Sequence, residues 1–330
     1  MQLDLPQTWS VAQRNVLPVL RGNTSPANAW HAALGNEDAM LVRQPWAPFI
    51  DIVAVLDLPD LRLFINGTHL RLWGVQESHV LAAARENVQP TQGLKPWTEA
   101  KGVWQLATGD GYESSRLSLP GWLAAFRDQV PGDPVAVIPD ARTLLVCGTE
   151  SGLPLDRMLH YSWSRFHEVG NPISPAPYTL NDAGSVIPWQ PSEAHRLVHR
   201  VDACHAFLAG HEYRQQQHPF AEWLKEHDIH RFLAPFSMVR HRSGRVVTFT
   251  CWPDMPSLLP KTDLVYLGSP GPGTFDDGLT VTWVDLVLHG IIEEPEPALT
   301  PARFGVLRHP EQLAALRAIA VDARSWSAYD

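Results

Sequence analysis

Short runs of β-branched and apolar residues, separated by tight turn signals, constrain the fold of this chain most strongly. Residues 135–138 and 143–147 are two such runs, and Pro139-Asp140-Ala141-Arg142 joins them. Proline and aspartate favour a tight turn, so the two runs are predicted to form an antiparallel hairpin. A parallel pair would need a crossover of a dozen or more residues. The same arrangement recurs at residues 50–56 with 61–65, and at 234–240 with 245–252.

Segments with helical spacing or strong helix formers lie between these hairpins. Predicted helices cover residues 8–21, 26–41, 76–88, 120–129, 153–168, 193–214, 220–227 and 309–320, and further strands cover 103–106, 264–267 and 279–288. The regular strand–helix–strand alternation that builds a parallel sheet is missing from this order. The sequence therefore predicts an α+β fold of two modules, each a mainly antiparallel sheet with packed helices.

The length of the chain fits two domains, because domains commonly hold about 100–200 residues and the chain has 330. Residues 181–192 hold Gly, Pro, Ser and Asn with little periodicity, which is typical of a linker. We expect an N-terminal α+β domain over residues 1–180, a linker over 181–192 and a second α+β domain over 193–330.

Charge and cysteine content exclude several classes of protein. There are 26 Lys and Arg against 35 Asp and Glu, a net charge of −9, which argues against a surface built to bind nucleic acid. Cys147, Cys204 and Cys251 are widely spaced, so neither a disulfide framework nor a cysteine-based zinc site is expected. No signal peptide and no apolar run of about 18 residues is visible, so no membrane is expected. Reduced, buried thiols in a cytoplasmic protein fit this pattern.

A series of short motifs in the first half occurs in a recognisable order. These motifs lie at residues 16–21, 53–59, 72–88, 109–117, 132–142 and 171–178. In this order the chain resembles the bacterial domain-of-unknown-function family 1444, the YtpQ-like proteins, over about residues 10–180. The resemblance implies no catalytic residues, because no activity comes with the family. The second half resembles no family that we can name.

The segment Gly109-Asp110-Gly111-Tyr112-Glu113-Ser114-Ser115-Arg116 is the richest in chemistry. Asp110 and Glu113 are three residues apart and can present two carboxylates together, as acid–base catalysis or a metal ion requires. Arg116 can pair with either carboxylate. The alternative is a turn flanked by glycines, followed by a helix start with an internal ion pair.

A row of histidines in the second half offers candidate metal ligands. His195 and His199 are four residues apart on a predicted helix, and Asp202 lies one turn further, a spacing that can hold zinc. The glutamate of an HExxH motif is missing because residue 196 is Arg. Histidines that are solvated or hydrogen-bonded on a helix are the alternative. Cys204 and His205 are neighbours and point about 100° apart on a helix, which disfavours a catalytic pair.

The remaining motifs favour structure over chemistry. The loop over residues 268–278 has glycines but no Gly-Lys-Ser/Thr ending, so no nucleotide or other cofactor is expected. Trp252, Phe249, Tyr266 and Trp283 lie on predicted strands, where core packing is the simpler interpretation. Arg240, His241, Arg242 and Arg245 cluster at a predicted hairpin turn, which is typical of a solvated turn in an acidic protein.

Three functional hypotheses follow. The first is a non-enzymatic binding or interaction protein with a protein partner or with self-association, favoured by 13 tryptophans and by the lack of a complete catalytic signature. The second is a hydrolase or transferase using Asp110, Glu113 and Arg116, with or without a metal ion. The third is a metal-binding or pH-responsive module built on the histidines.

Overall fold

The structure is a computed structural model that describes residues 5–25, 35–59, 61–88, 97–241, 243–268, 279–295, 299–308, 313–318 and 320–321. The chain divides into two compact units, unit 1 over Met1–Leu197 and unit 2 over Val198–Asp330. Both contain mainly antiparallel sheets with packed helices, which confirms the predicted α+β class.

The first sheet of unit 1 is built around a long buried strand. Its strands are β1 (Val16–Gly22), β2 (Arg43–Ala47), β3 (Ile50–Leu58) and β4 (Leu61–Phe64). Strand β3 pairs antiparallel with all three others, and its first seven residues are buried. Helices α1 (Trp9–Ala12), α2 (Gly67–Trp73) and α3 (Glu77–Asn87) lie before and after these strands.

The second sheet of unit 1 has six strands, all antiparallel, in the order β10-β9-β7-β8-β6-β5. They are β5 (Trp97–Ala100), β6 (Val103–Leu106), β7 (Pro134–Ile138), β8 (Leu145–Gly148), β9 (Ser174–Leu180) and β10 (Val186–Pro188). Helix α4 (Leu153–Glu168) packs on β9 through an apolar face that includes Leu155, Leu159 and Phe166. Two 3₁₀ helices, Ser114–Ser118 and Leu123–Phe126, lie between β6 and β7.

Unit 2 combines one long helix with two sheets. Its elements are α5 (Val198–Glu226), β11 (Phe232–Leu233), β12 (Ser237–Arg240), β13 (Val246–Trp252), β14 (Ser257–Pro260), β15 (Leu264–Leu267), β16 (Leu279–Thr282), α6 (Trp283–Leu288), β17 (Arg303–Val306) and α7 (Leu313–Ala318). The sheets have the orders β11-β14-β17 and β12-β13-β15-β16. The pairs β11/β14 and β13/β15 are parallel. Trp252 and Trp283 share one buried cluster with Val265, as the core interpretation of the two tryptophans predicted.

A buried arginine connects the elements of unit 2. The Arg303 guanidinium donates to the Gln216 side chain at 2.6 Å and to the carbonyls of Ala234 at 2.7 Å and Leu258 at 3.2 Å. It also donates to the Gln217 side chain at 3.0 Å. These acceptors are neutral, and burial lowers the pKa of Arg303 to about 10. The charge is therefore stabilised by directed hydrogen bonds that join α5 to the sheet.

The N-terminal prediction of a helix over residues 8–21 was wrong. Helix α1 is only four residues long, and Val16 begins a strand. Pro18 cannot donate a hydrogen bond and disrupts a helix interior, whereas an edge strand tolerates it. Strand β1 is such an edge, because it pairs only with β3.

Four further helix predictions differ from the structure. Residues 26–34 lie outside the described residues, and the rest of that predicted helix holds only the 3₁₀ turn Glu37–Ala39. Only Leu123–Phe126 is 3₁₀-helical within the predicted helix 120–129. The two predicted helices over 193–214 and 220–227 form the single helix α5, which starts at Val198 and continues through Pro219.

The predicted linker contains regular structure. Strand β10 lies within residues 181–192 and pairs with β9, and Trp189 directly after it is buried. The boundary between the two compact units follows residue 197 in the sequence, a few residues beyond the expected end of the linker. That the two units fold as separate domains stays a prediction.

Candidate functional site

The glycine-flanked loop before the first 3₁₀ helix turns the Asp110 carboxylate back onto its own segment. Gly109 and Gly111 have φ of +72° and +78°, a region that side chains other than glycine rarely adopt. Asp110 Oδ1 accepts from the hydroxyl of Thr108 and the backbone N–H of Tyr112, both at 2.9 Å. The Arg116 guanidinium donates to both oxygens, at 3.1 and 2.5 Å. The loop is thus closed by a forked ion pair.

The charge state of Asp110 follows from these contacts. Burial by itself would raise the pKa of this carboxyl, but the hydrogen bonds from Arg116, Tyr112 N–H and Thr108 outweigh it and lower the pKa. The Arg116 side chain is only 7% exposed, so its charge depends on this partner. Asp110 is therefore held as a carboxylate, the opposite of what a general acid requires.

Glu113 is buried beside this ion pair without joining it. Its Oε1 accepts from the Gly109 N–H at 2.7 Å, and its Oε2 has no hydrogen-bond partner. The Arg116 Nε and the Tyr112 hydroxyl are also buried without a partner. Among the described residues, three of the four such atoms belong to this segment. Buried polar atoms normally find partners, so this concentration marks the segment as unusual.

The predicted metal ligands are distributed differently from the expected helical row. His195 lies in a turn before α5, where its backbone N–H donates to Ser192 O and its Nδ1 accepts from Leu197 N–H at 3.2 Å. It belongs to unit 1, whereas His199 and Asp202 lie on α5 in unit 2. The four-residue helical spacing of His195 and His199 is therefore not formed, because the helix begins three residues too late.

Opposing effects act on the pKa of Asp202, which lies on the first turns of α5. Burial raises its pKa, and the charges of Arg245, His199 and His205 oppose that effect. Within the described part of the chain, no three His, Cys, Asp or Glu side chains are arranged to hold a metal ion.

A cavity of about 490 Å³ lies in unit 1, away from the Asp110 loop. Its lining residues are Thr149, Glu150, Gly152, Trp189, Gln190, Pro191, Ser192, His195 and Arg196. The His195 ring meets Trp189 edge-on at 5.5 Å, and Arg196 donates to Gly152 O at 2.6 Å. Sequence reasoning missed this cavity because Trp189 lies in the expected linker, and no motif marks it.

A continuous apolar surface on α6 is the second feature that the sequence did not predict. Residues 279–288 alternate well enough for a long strand, but Thr282 ends β16 and caps α6 by accepting from the Asp285 N–H. Val284, Val287 and Leu288 then point outward, with 63%, 54% and 75% of their surface exposed. These three residues form the α6 apolar surface. Trp283 and Leu286, on the inner side of the helix, are buried.

The cysteines are structural. All three are free and buried, as expected. Burial raises the pKa of Cys147 and of Cys204 to about 12, so their reactive thiolate forms are disfavoured. This environment argues against a catalytic Cys204–His205 pair.

Two minor predictions are only partly covered by the structure. Of the glycine-rich loop over 268–278, residues 269–278 lie outside the described residues, and so does Arg242 of the basic hairpin. None of the described helices is both long and apolar enough to cross a membrane.

Comparison with known proteins finds distant relatives in Listeria. The chain is 23% identical over 172 residues to a UPF0354 protein of Listeria innocua, a match that covers 51% of this chain and 62% of that protein. It is 22% identical over 170 residues to a UPF0354 protein of Listeria monocytogenes, with the same coverage. The chain thus spans less than two thirds of the length of these relatives. No family model and no solved structure matches the chain.

Proposed function

We propose that the protein is a non-enzymatic interaction protein, and that its partner is a second copy of itself docked on the α6 apolar surface. The observation that supports this proposal most directly is the exposure of Val284, Val287 and Leu288 on one short helix. Spacings of three and four residues place side chains on one face of a helix, so the three side chains form a single patch. Patches of this kind mark sites of protein association.

The chemistry of this surface favours a copy of the same chain. Asp285 is the only charged residue of α6, and its carboxylate accepts from the Thr282 hydroxyl at 2.6 Å. The three side chains of the α6 apolar surface are uncharged, so this surface needs no complementary charge on its partner, and a two-fold dimer brings the same patch together from both sides. The net charge of −9 opposes unspecific aggregation, so a defined apolar contact is required for association.

Sedimentation velocity tests this proposal on the full chain. The wild-type protein is expected to shift from monomer to dimer as its concentration increases from micromolar to hundreds of micromolar. Leu288→Lys is expected to abolish the shift. Leu153→Lys is the matched control, because Leu153 is 54% exposed at the start of α4 in unit 1. A wild-type protein that stays monomeric, or a dimer that survives Leu288→Lys, would refute self-association.

The enzymatic alternative rests on the unpartnered atoms at Glu113 and Arg116. If these atoms served catalysis on a substrate, Glu113→Gln would abolish turnover, whereas Glu99→Gln on exposed β5 would not. Under the interaction proposal, the wild-type protein turns over neither p-nitrophenyl acetate nor p-nitrophenyl phosphate. Turnover that is lost in Glu113→Gln and kept in Glu99→Gln would overturn the non-enzymatic assignment.

We further propose that the first half of the chain is a member of domain-of-unknown-function family 1444. The proposal rests on the motif series over residues 10–180, and the Listeria matches of 172 and 170 residues have about the same length. An experimental structure of a YtpQ-like protein with the strand order β10-β9-β7-β8-β6-β5 would support membership, and a different order would refute it.

A further inference from the structure

The cavity of about 490 Å³ in unit 1 is built by two segments of the chain that are tied to each other. One is the turn over residues 149–152 between β8 and α4, and the other lies within residues 189–196, directly after β10. The Arg196 guanidinium donates to Gly152 O at 2.6 Å and joins the two segments. All nine lining residues belong to unit 1. The volume lies in the lower part of the range of about 300–1,000 Å³ that is typical of small-molecule sites, so the cavity suits a small ligand.

Backbone hydrogen bonds hold the turn segment of the cavity in place. The Thr149 N–H donates to Asp133 O at 2.8 Å, and the Glu150 N–H donates to Pro131 O at 3.1 Å. The Glu150 side chain packs against Gly132, where an added Cβ would lie 2.9 Å from Glu150 Cγ. The stem of Glu150 is therefore positioned by the fold, although the residue is exposed.

The second segment contributes a donor and an apolar wall. His195 Nδ1 accepts from the Leu197 N–H at 3.2 Å, so a neutral His195 carries its proton on Nε2 and can donate from there. The Trp189 N–H donates to Pro177 O at 2.9 Å, which fixes the tryptophan beside the sheet. Its ring meets the His195 ring edge-on at 5.5 Å. This wall of the cavity is therefore also formed before any ligand binds.

The cavity contains one acidic and one basic side chain that do not pair with each other. Neither Glu150 nor Arg196 lies within 4.0 Å of an oppositely charged group of a described residue. The two charges nevertheless belong to the same part of the cavity, because Arg196 is bonded to Gly152, whose Cα lies within about 7 Å of the Glu150 Cα. Opposite charges that are close but unpaired match a ligand that carries both charges itself.

We propose that this cavity binds an α-amino acid with an apolar side chain. The Arg196 guanidinium has donors beyond the one that Gly152 O uses, and these bind the carboxylate, whereas Glu150 binds the ammonium group. With a hydrogen bond of about 2.8 Å at each end, an α-amino acid bridges side-chain charges that lie about 5–8 Å apart. The wall formed by Trp189 and Pro191 faces the apolar side chain. A phosphate dianion fits less well, because the Glu150 carboxylate repels it.

Isothermal titration of L-leucine into the full chain tests the site, together with two analogues that each lack one charge. L-Leucinamide keeps the ammonium group and lacks the carboxylate, and N-acetyl-L-leucine keeps the carboxylate and lacks the ammonium group. L-Leucine is expected to bind saturably. Each analogue is expected to bind about tenfold more weakly, as the loss of one charged hydrogen bond predicts.

Two variants assign each charge of the ligand to its residue. Arg196→Gln is expected to weaken L-leucine binding by about tenfold and to leave the affinity for L-leucinamide unchanged. Glu150→Gln is expected to weaken L-leucine binding by the same factor and to leave the affinity for N-acetyl-L-leucine unchanged. Both residues are exposed, so both variants are expected to fold. Arg127→Gln and Glu168→Gln remove the same charges at other exposed positions of unit 1 and are expected to leave all three affinities unchanged.

Three results would overturn the proposal: L-leucine binding that does not saturate, binding that either analogue reproduces, and binding that survives both Arg196→Gln and Glu150→Gln. None of these results bears on self-association, because the α6 apolar surface belongs to unit 2.

Discussion

The ion pair between Asp110 and Arg116 makes a quantitative prediction for the substitution Asp110→Asn. Asparagine keeps the shape of the side chain and one acceptor oxygen for Thr108 and the Tyr112 N–H. It removes the negative charge that faces the two guanidinium nitrogens at 3.1 and 2.5 Å. The Arg116 side chain, only 7% exposed, is then left as a buried cation without a counter-ion.

The expected loss in the free energy of unfolding follows from two typical interaction energies. Removing one partner of a fully buried ion pair costs about 3–5 kcal/mol, and a hydrogen bond to a charged group contributes about 1.5–3 kcal/mol. Because the Asp110 side chain is 40% exposed, solvent screens part of the interaction, and the lower range applies. We expect Asp110→Asn to reduce the free energy of unfolding by about 2 kcal/mol.

Urea unfolding at pH 7 measures this loss, and hydrogen exchange of residues 108–118 locates it. Asp38→Asn is the matched control, because Asp38 pairs with Arg71 at a site where the two side chains are 37% and 65% exposed. Exposed pairs contribute about 0–1 kcal/mol, so this control should change little. If Asp110→Asn cost no more than Asp38→Asn, or if residues 108–118 kept their protection, the structural role assigned to the ion pair would be refuted.

Three further predictions rest on buried charged groups and thiols. The pKa of Asp110 is lowered, so the stabilisation by its carboxylate is complete above its ordinary pKa of 3.8 and is lost as the pH falls through the lowered pKa. The stability gap between wild type and Asp110→Asn should therefore narrow in acid urea titrations, and a gap as wide at pH 2 as at pH 7 would contradict this. Arg303→Met leaves its acceptors on α5 and on the sheet unpaired and should lower the free energy of unfolding in urea by about 3 kcal/mol. Arg317→Met, at an exposed position, should lower it little, and equal losses in the two variants would contradict the role of Arg303. The buried thiols should react with Ellman's reagent only after unfolding, and rapid labelling of the native protein would be contrary evidence.

Local signals in the sequence were sufficient where neighbouring residues determine the structure. The hairpin of β7 and β8 forms around the predicted turn, and α4 occupies the predicted residues 153–168. Both depend on short-range features, a proline–aspartate turn in one case and helical spacing of apolar residues in the other. The α+β class followed from such elements, because their order alone distinguishes it from a parallel sheet.

Elements that depend on distant partners were not predictable in this way. Residues 16–22 form a strand because β3 offers an antiparallel partner 28 to 40 residues away along the chain, which no local pattern shows. The end of β16 at Thr282 depends on one capping hydrogen bond, and without it the alternation of residues 279–288 favours a strand. The α6 apolar surface results from this switch, since a strand would have distributed these side chains over two faces.

The candidate site shows the same division between local and distant information. The sequence indicated that Arg116 can pair with a nearby carboxylate, and the structure places it on Asp110. Asp110 and Arg116, whose charges suggested catalysis, pair with each other. Their ion pair fixes the loop that positions Tyr112 on the sheet. Arg62 reaches Tyr112 from a strand about 50 residues earlier in the chain, so their contact has no sequence signal. The charged residues of the motif therefore have a positioning role, because they hold the loop from which Tyr112 packs on the sheet.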